Sequence, residues 1–483
     1  MSAALHSLAG AGGFFVGRNT DCEGYGQGVS TLTATESTSK SLYSVIGSQI
    51  DDPVSGPALA KLYGVHVGDR DALVKCLRDV AWVPAYRPAP FIGHMARPTL
   101  GGDPHINMLG FRDERQSYIT KPSRTVRIFM TGGSTAWGSG ASLQKMTISY
   151  LLEGMLNEEV SPASGYRYEV VNTAFPAWTT TQERLLIQQR LVDMYPDVIL
   201  MFSGTNDIHW TREGRDIRWY YSPMDENFVS RLGELYSSNG RPDWTFAAPA
   251  LSRPVECSDL ARISARNVED AAIAAGRAGA RLIFAVQPNV ATVAKRLTLR
   301  EQGLPEVANR AWWESSYGAL RQELGRIRAR NYQLIDLSRS LGEIDDDTEV
   351  FVDSYHFADL GNRLMARALV DKIDWRSMVP SAAVEPDGAA ALKIVNLDAS
   401  SSAAEKPLNR RPDGSIALRI VPNRINENLL VVFDTSILPT VITKHAISAS
   451  VPAALRTASG EHKLSIVDSM TGETSSTVVF RTR

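Results

Sequence analysis

The chain has 483 residues, 43% hydrophobic and 22% charged, the balance of an ordinary globular protein with material for roughly two to four domains. Lys and Arg total 51 against 53 Asp and Glu, a net charge of −2, which excludes a long-range field drawing the chain to nucleic acid or an anionic membrane. Three widely spaced cysteines, Cys22, Cys76 and Cys257, form neither a disulfide framework nor a metal-binding pair.

Residues 1–85 carry little signal beyond a Gly/Ser/Thr-rich start and a predicted helix around Asp71–Val80. Met1–Gly17 has no basic residue before its apolar part and fails as a secretory signal. The expectation is a cytoplasmic protein, or one exported by a route that leaves no cleavable signal. No run reaches the ~18 apolar residues of a membrane span.

From Val126 onward, short apolar runs alternate with amphipathic stretches. The runs begin at Val126, Tyr168, Asp197, Arg281 and Tyr332, and each reads as a strand covered on both faces. Ile148, Leu151, Leu152, Met155 and Leu156 fall on one helical stripe, and Leu360–Val370 reads as a further helix. Five strands separated by helices predict a parallel, doubly wound α/β sheet over residues 86–378. Residues 379–415, rich in Ala, Ser, Asp and Pro, read as a linker. Beyond them, alternating runs at Leu418/Ile420, Leu430/Val432, Ile447/Ala449/Val451, Leu464/Ile466 and Val478/Phe480 predict a small all-β sandwich over 416–483.

Three polar segments sit where strands end: Thr131-Gly132-Gly133-Ser134-Thr135, Ser203-Gly204-Thr205-Asn206-Asp207, and Asp353-Ser354-Tyr355-His356. Loops at the carboxyl ends of a parallel sheet converge on one crevice. A serine hydroxyl needs an imidazole to take its proton, and a carboxylate to orient that imidazole. Asn side-chain and backbone N–H groups can stabilise the oxyanion that forms. Ser134, Asp353 and His356 are therefore the candidate catalytic residues, with Asn206 beside them.

On these motifs the chain resembles the SGNH (GDSL-like) hydrolases, whose four blocks contribute a Ser, a Gly, an Asn and a His in that order. Gly133-Ser134 is similar to the first block, Gly204-Thr205-Asn206-Asp207 matches the third, and Asp353-x-x-His356 matches the last. The likeness spans roughly residues 84–373, including Tyr86-Arg87-Pro88 and Asn107–Arg112 upstream. It implies a flavodoxin-like three-layer α/β/α fold and metal-free, cofactor-free esterase, lipase or carbohydrate-deacetylase activity. It also implies an oxyanion hole from Ser134, Ala174 and Asn206. The second block, Val171–Ala177, has alanine at both places where glycine is usual; a Cβ costs about 1 kcal/mol wherever a positive φ is required. The C-terminal runs resemble an immunoglobulin-like (IPT/TIG-type) module.

Residues 208–256 form a long insertion rich in aromatics and arginines, read either as a lid over the crevice or as packing. Trp137, Trp178, His209 and Trp210 are possible substrate-binding residues, with an equal claim to be core. The eight histidines show no metal-ligand spacing, and Asp345-Asp346-Asp347 reads as a solvated loop. The expected partner is a small-molecule or glycan ester, with O-acetyl carbohydrate favoured. Acyl transfer to an acceptor hydroxyl, and a glycan-binding or structural protein with a vestigial hydrolase domain, remain open.

Overall fold

The computed structural model describes residues 50–79, 84–99, 103–116, 118, 120–218, 222, 225, 257–345, 347–378, 391–398, 414–452, 455, 460–469 and 471–482. The chain divides into two units, Met1–Arg97 with Arg124–Ala382, and Pro98–Ser123 with Ala383–Arg483.

The first unit opens with helices α1 (Ser55–Leu62) and α2 (Arg70–Asp79), followed by a hairpin of β1 (Tyr86–Ala89) and β2 (Gly93–Ala96). Then come β3 (Thr125–Gly132), α3 (Ser134–Trp137), α4 (Ile148–Met155), β4 (Arg167–Asn172), α5 (Thr180–Gln189) and β5 (Val198–Ser203). After these follow α6 (Thr205–Arg212), α7 (Cys257–Arg277), β6 (Arg281–Val286), α8 (Arg310–Leu324), β7 (Tyr332–Asp336) and α9 (Asp359–Lys372). Each of the five apolar runs forms a strand, and the strands pair in parallel in the order β4-β3-β5-β6-β7. In order of appearance this is 2-1-3-4-5, the flavodoxin-like order, whose connections reverse direction between the first and third strands. Those strands are β3 and β5, and the Ser134 and Asn206 segments leave from their carboxyl ends.

Every residue of β3 and of β5 is buried, as strands covered on both faces require. The one charge inside β3, Arg127, is matched: its Nε donates to Glu169 of β4 at 3.1 Å and its Nη1 to the Met194 carbonyl at 2.9 Å. Helix α4 packs on α9, and α7 on α5 and α8. The α4 stripe continues through Leu156 into one wider helical turn, Leu156–Val160. Helices α1 and α2, only one of them legible in sequence, bury Leu59, Leu73 and Leu77 against Val352 and Ala358, which flank the Asp353–His356 turn. Tyr63, just past α1, donates its hydroxyl to the Gly140 carbonyl at 2.9 Å.

Among the described residues, the second unit holds two four-stranded antiparallel sheets. One is formed by β8 (Ile394–Asp398), β9 (Ile416–Pro422), β12 (Thr440–Ile442) and β13 (Ile447–Val451), in the order β12-β13-β9-β8. The other holds β10 (Leu429–Phe433), β11 (Ser436–Ile437), β14 (Gly460–Asp468) and β15 (Val478–Thr482), in the order β11-β10-β14-β15. Leu418, Ile420, Ile447 and Ala449 from the first share a core with Leu429, Val431, Leu464 and Ile466 from the second. Two sequence expectations change here. Part of the segment read as linker, residues 379–415, is the edge strand β8, paired antiparallel with β9; its Ala/Ser/Asp-rich surroundings mask five strand residues. Residues 98–123, placed by sequence with the α/β part, belong to this unit, where Met108 packs on Val432 and Val467.

Among the described residues no helix is long and apolar enough to cross a membrane.

Candidate active site

Strand β3 ends at Gly132, and the chain turns at Gly133 into the short helix α3 with Ser134 as its first residue. A side chain at position 133 would fall on Asn206 Nδ2, so only glycine lets the Ser and Asn segments approach this closely. As the first helical residue, Ser134 has a backbone N–H without an intrahelical acceptor. Strand β5 passes into α6 through Gly204, whose φ of +105° is a conformation that side chains resist. This sharp turn sets Asn206 in the first turn of α6. Asn206 Nδ2 donates to the Trp178 carbonyl at 2.7 Å; a carboxamide carries two such hydrogens, so one remains.

The third segment completes the arrangement. His356 Nε2 lies 2.6 Å from Ser134 Oγ, and His356 Nδ1 lies 2.7 Å from Asp353 Oδ2. The other carboxylate oxygen, Oδ1, accepts the backbone N–H groups of Tyr355 at 2.8 Å and His356 at 2.9 Å. The partners fix the proton roles: Nδ1 donates to the carboxylate, so Nε2 is the acceptor for the serine hydroxyl. Burial acts to raise the Asp353 carboxyl. The His356 charge, its ring hydrogen bond and the two backbone N–H groups outweigh burial and hold the group at about 2. Ser134 and His356 are buried, at 5% and 0% exposed. Thus the three residues nominated from sequence are brought together, with Asn206 beside them.

The backbone donor requires a correction. Ala174, expected to present its N–H to the oxyanion, donates instead to Asn172 Oδ1 at 3.2 Å. The positive φ of this loop falls at Ala177 (φ 66°), whose N–H has no hydrogen-bond partner among the described residues. Sequence carried a signal for this position, since Ala177 is the second alanine standing where glycine is usual.

The four aromatic and histidine candidates are all buried: Trp137 at 0%, Trp178 at 1%, His209 at 4% and Trp210 at 6% exposed. Trp137 and Trp178 pack on Phe175, each with ring centroids 5.8 Å from it. His94 of β2 lies on the same Phe175 ring at 4.9 Å. His209 places its Nδ1 3.1 Å from the Tyr355 hydroxyl. From the proposed lid, Trp219, Tyr220, Tyr221 and Trp244 lie outside the described residues.

Two carboxyl groups behind the site gave no sequence signal. Glu183 of α5 is fully buried, with its oxygens 2.5 Å from Ser203 Oγ and 2.6 Å from Thr131 Oγ1, at the ends of β5 and β3. Burial pushes it up to about 8. Asp207, next to Asn206, accepts from Thr180 Oγ1 at 2.5 Å and Ser264 Oγ at 2.7 Å, and burial raises it too.

No protein-family model matches the chain, and no curated protein matches it in sequence. Among solved structures, it is similar to the acetyl xylan esterase AlAXEase at 13% identity, covering 51% of this chain and 100% of that one, with a TM-score of 0.31. The acetylxylan esterase Axe2 from Geobacillus stearothermophilus is 14% identical over 53% of this chain and 97% of its own, with a TM-score of 0.32. LAE5, an alpha/beta hydrolase enzyme from the metagenome of Lake Arreo, Spain, is 15% identical over 55% of this chain and 100% of its own, with a TM-score of 0.30.

Proposed function

We propose that the protein is a serine ester hydrolase that removes small O-acyl groups, acetyl foremost, from a carbohydrate. The observation that carries this reading is the single imidazole bridging Ser134 Oγ and the Asp353 carboxylate at 2.6 and 2.7 Å. The motif resemblance to the SGNH hydrolases points the same way.

In this reading Ser134 Oγ attacks the ester carbonyl carbon while its proton passes to His356 Nε2. The imidazolium is stabilised by Asp353, which stays ionised. The carbonyl oxygen becomes an oxyanion, held by the backbone N–H groups of Ser134 and Ala177 and the remaining Asn206 Nδ2 hydrogen. Collapse of the tetrahedral intermediate breaks the ester C–O bond, and His356 returns its proton to the departing alcohol. Water then repeats the sequence on the acyl-serine, releasing the acid and restoring Ser134. A small acyl group is the choice that the motif resemblance, with its carbohydrate-deacetylase members, supports. The aromatic and arginine content of the chain after Asn206 supports a carbohydrate as the alcohol part.

The wild-type protein is expected to hydrolyse p-nitrophenyl acetate faster than the octanoate and to release acetate from acetylated xylo-oligosaccharides. Ser134→Ala is expected to lower the rate by at least about 10³-fold. Equal rates in the two proteins would refute the assignment.

A further inference from the structure

We propose that Tyr355, one of the two residues between Asp353 and His356, is the positioning residue that holds the Asp353–His356 turn in register with both the nucleophile and the Asn206 helix. The inference rests on the hydrolase reading and adds a residue that the mechanism does not use.

Tyr355 is held from four directions. Its backbone N–H donates to Asp353 Oδ1 at 2.8 Å. Its carbonyl accepts the hydroxyl of Thr135, the residue after the nucleophile, at 3.1 Å. Thr135 is in turn fixed by Gln287 Nε2, which donates to its hydroxyl oxygen at 2.9 Å. The Tyr355 phenol donates to Glu306 Oε1, and His209 Nδ1 lies 3.1 Å from the same phenol oxygen. Since the phenol has one proton and gives it to the carboxylate, His209 Nδ1 is the donor in that second contact.

His209 lies three residues after Asn206 on α6, on a neighbouring position of that helix surface. Arg212 of the same helix approaches Glu306 Oε1 at 3.9 Å, so Glu306 faces α6 as well as the phenol. Tyr355, His209 and Glu306 are all nearly buried, at 4%, 4% and 6% exposed. Trp313 closes the edge of the Tyr355 ring with centroids 5.9 Å apart. Burial first, and then Glu306, keep the phenol protonated, since its pKa is raised well above 10. Tyr355 therefore links β3's exit, α6 and the Asp353–His356 turn through directional bonds in a buried interior, where they resist displacement. A misplacement of about 1 Å between nucleophile and base is enough to cost ~10²-fold in rate.

The test uses the full chain. The proton between His356 Nδ1 and Asp353 is expected to give a far-downfield ¹H NMR resonance that Asp353→Asn abolishes, which assigns it. Tyr355→Phe is expected to shift or broaden this resonance and to lower kcat on p-nitrophenyl acetate roughly 10- to 100-fold, with KM within about twofold of wild type. Glu306→Gln keeps an acceptor for the phenol and is expected to retain the resonance and most of kcat. An unchanged resonance in Tyr355→Phe overturns the proposal, and so does a rise in KM at constant kcat, which would make Tyr355 a substrate contact. Should Tyr355→Phe not fold cooperatively, His209→Ala removes the link to α6 alone; the same broadening is expected there, and its absence overturns the proposal. The resonance is read without turnover. Activity that survives Ser134→Ala therefore refutes the hydrolase reading, while the resonance still decides the role of Tyr355.

Discussion

Asp353→Asn is expected to lower kcat by about 10⁴-fold while leaving the fold in place. An asparagine keeps Oδ1 and with it the acceptor for the Tyr355 and His356 N–H groups, so the turn retains its shape. What changes is the atom facing the ring. Where the carboxylate oxygen accepts from His356 Nδ1 at 2.7 Å, a carboxamide nitrogen donates. The ring then carries its proton on Nε2, and the atom 2.6 Å from Ser134 Oγ becomes a donor unable to take the serine's proton. Steady-state kinetics on p-nitrophenyl acetate, with a melting curve as the folding control, read this directly. The pH profile follows from the same geometry. With Asp353 held at about 2, its carboxylate is charged from roughly pH 4 upward, so loss of that charge does not limit the wild-type rate above that pH.

The second large effect concerns stability and runs in the opposite pH direction. Glu183 has a folded-state pKa of about 8 against an unfolded value of 4.5. Between those values the folded state binds more protons than the unfolded chain, so stability falls as pH rises through that window. At pH 8 the cost reaches on the order of 4 kcal/mol relative to pH 4.5, a large share of a typical domain's margin. Asp207, raised in the same direction, adds to the slope. Glu183→Gln fits the same space between Ser203 and Thr131 and carries no charge at any pH. Urea unfolding at pH 5, 6.5 and 8 is expected to show wild-type stability declining across the series and the variant's declining far less. Parallel slopes in the two proteins would contradict the burial of an ionisable Glu183.

The sheet was legible because its signals are continuous. Strands β3 to β6, buried along almost their whole length, leave nearly continuous apolar runs, while the edge strand β7 is only half-buried, and the helices between them leave a stripe, as at Ile148–Leu156. Ser134 and Asn206 were legible because each follows a strand end, where a parallel sheet gathers its loops, and Asp353 and His356, beyond the last strand, because their spacing of three lets one turn present both side chains. What sequence did not reveal depends on contacts between distant residues. Which alanine of the 171–177 segment offers a free N–H is decided by whether Asn172 reaches it, and it reaches Ala174, leaving Ala177. Glu183 reads as an ordinary polar position on a helix until Thr131 and Ser203 close over it. Tyr355 is one of two unspecified positions in Asp-x-x-His, and its role emerges only once Glu306 and His209 arrive from elements 49 and 146 residues away. Strand β8 was hidden by the composition around it.

Reaction with a serine-directed organophosphonate, followed by peptide mass mapping, reads whether Ser134 is a nucleophile activated by His356. One adduct is expected, on the peptide bearing Ser134, absent in Ser134→Ala and formed far more slowly in His356→Ala. An unlabelled Ser134 in the folded wild-type protein, or labelling at the same rate without His356, would contradict that role.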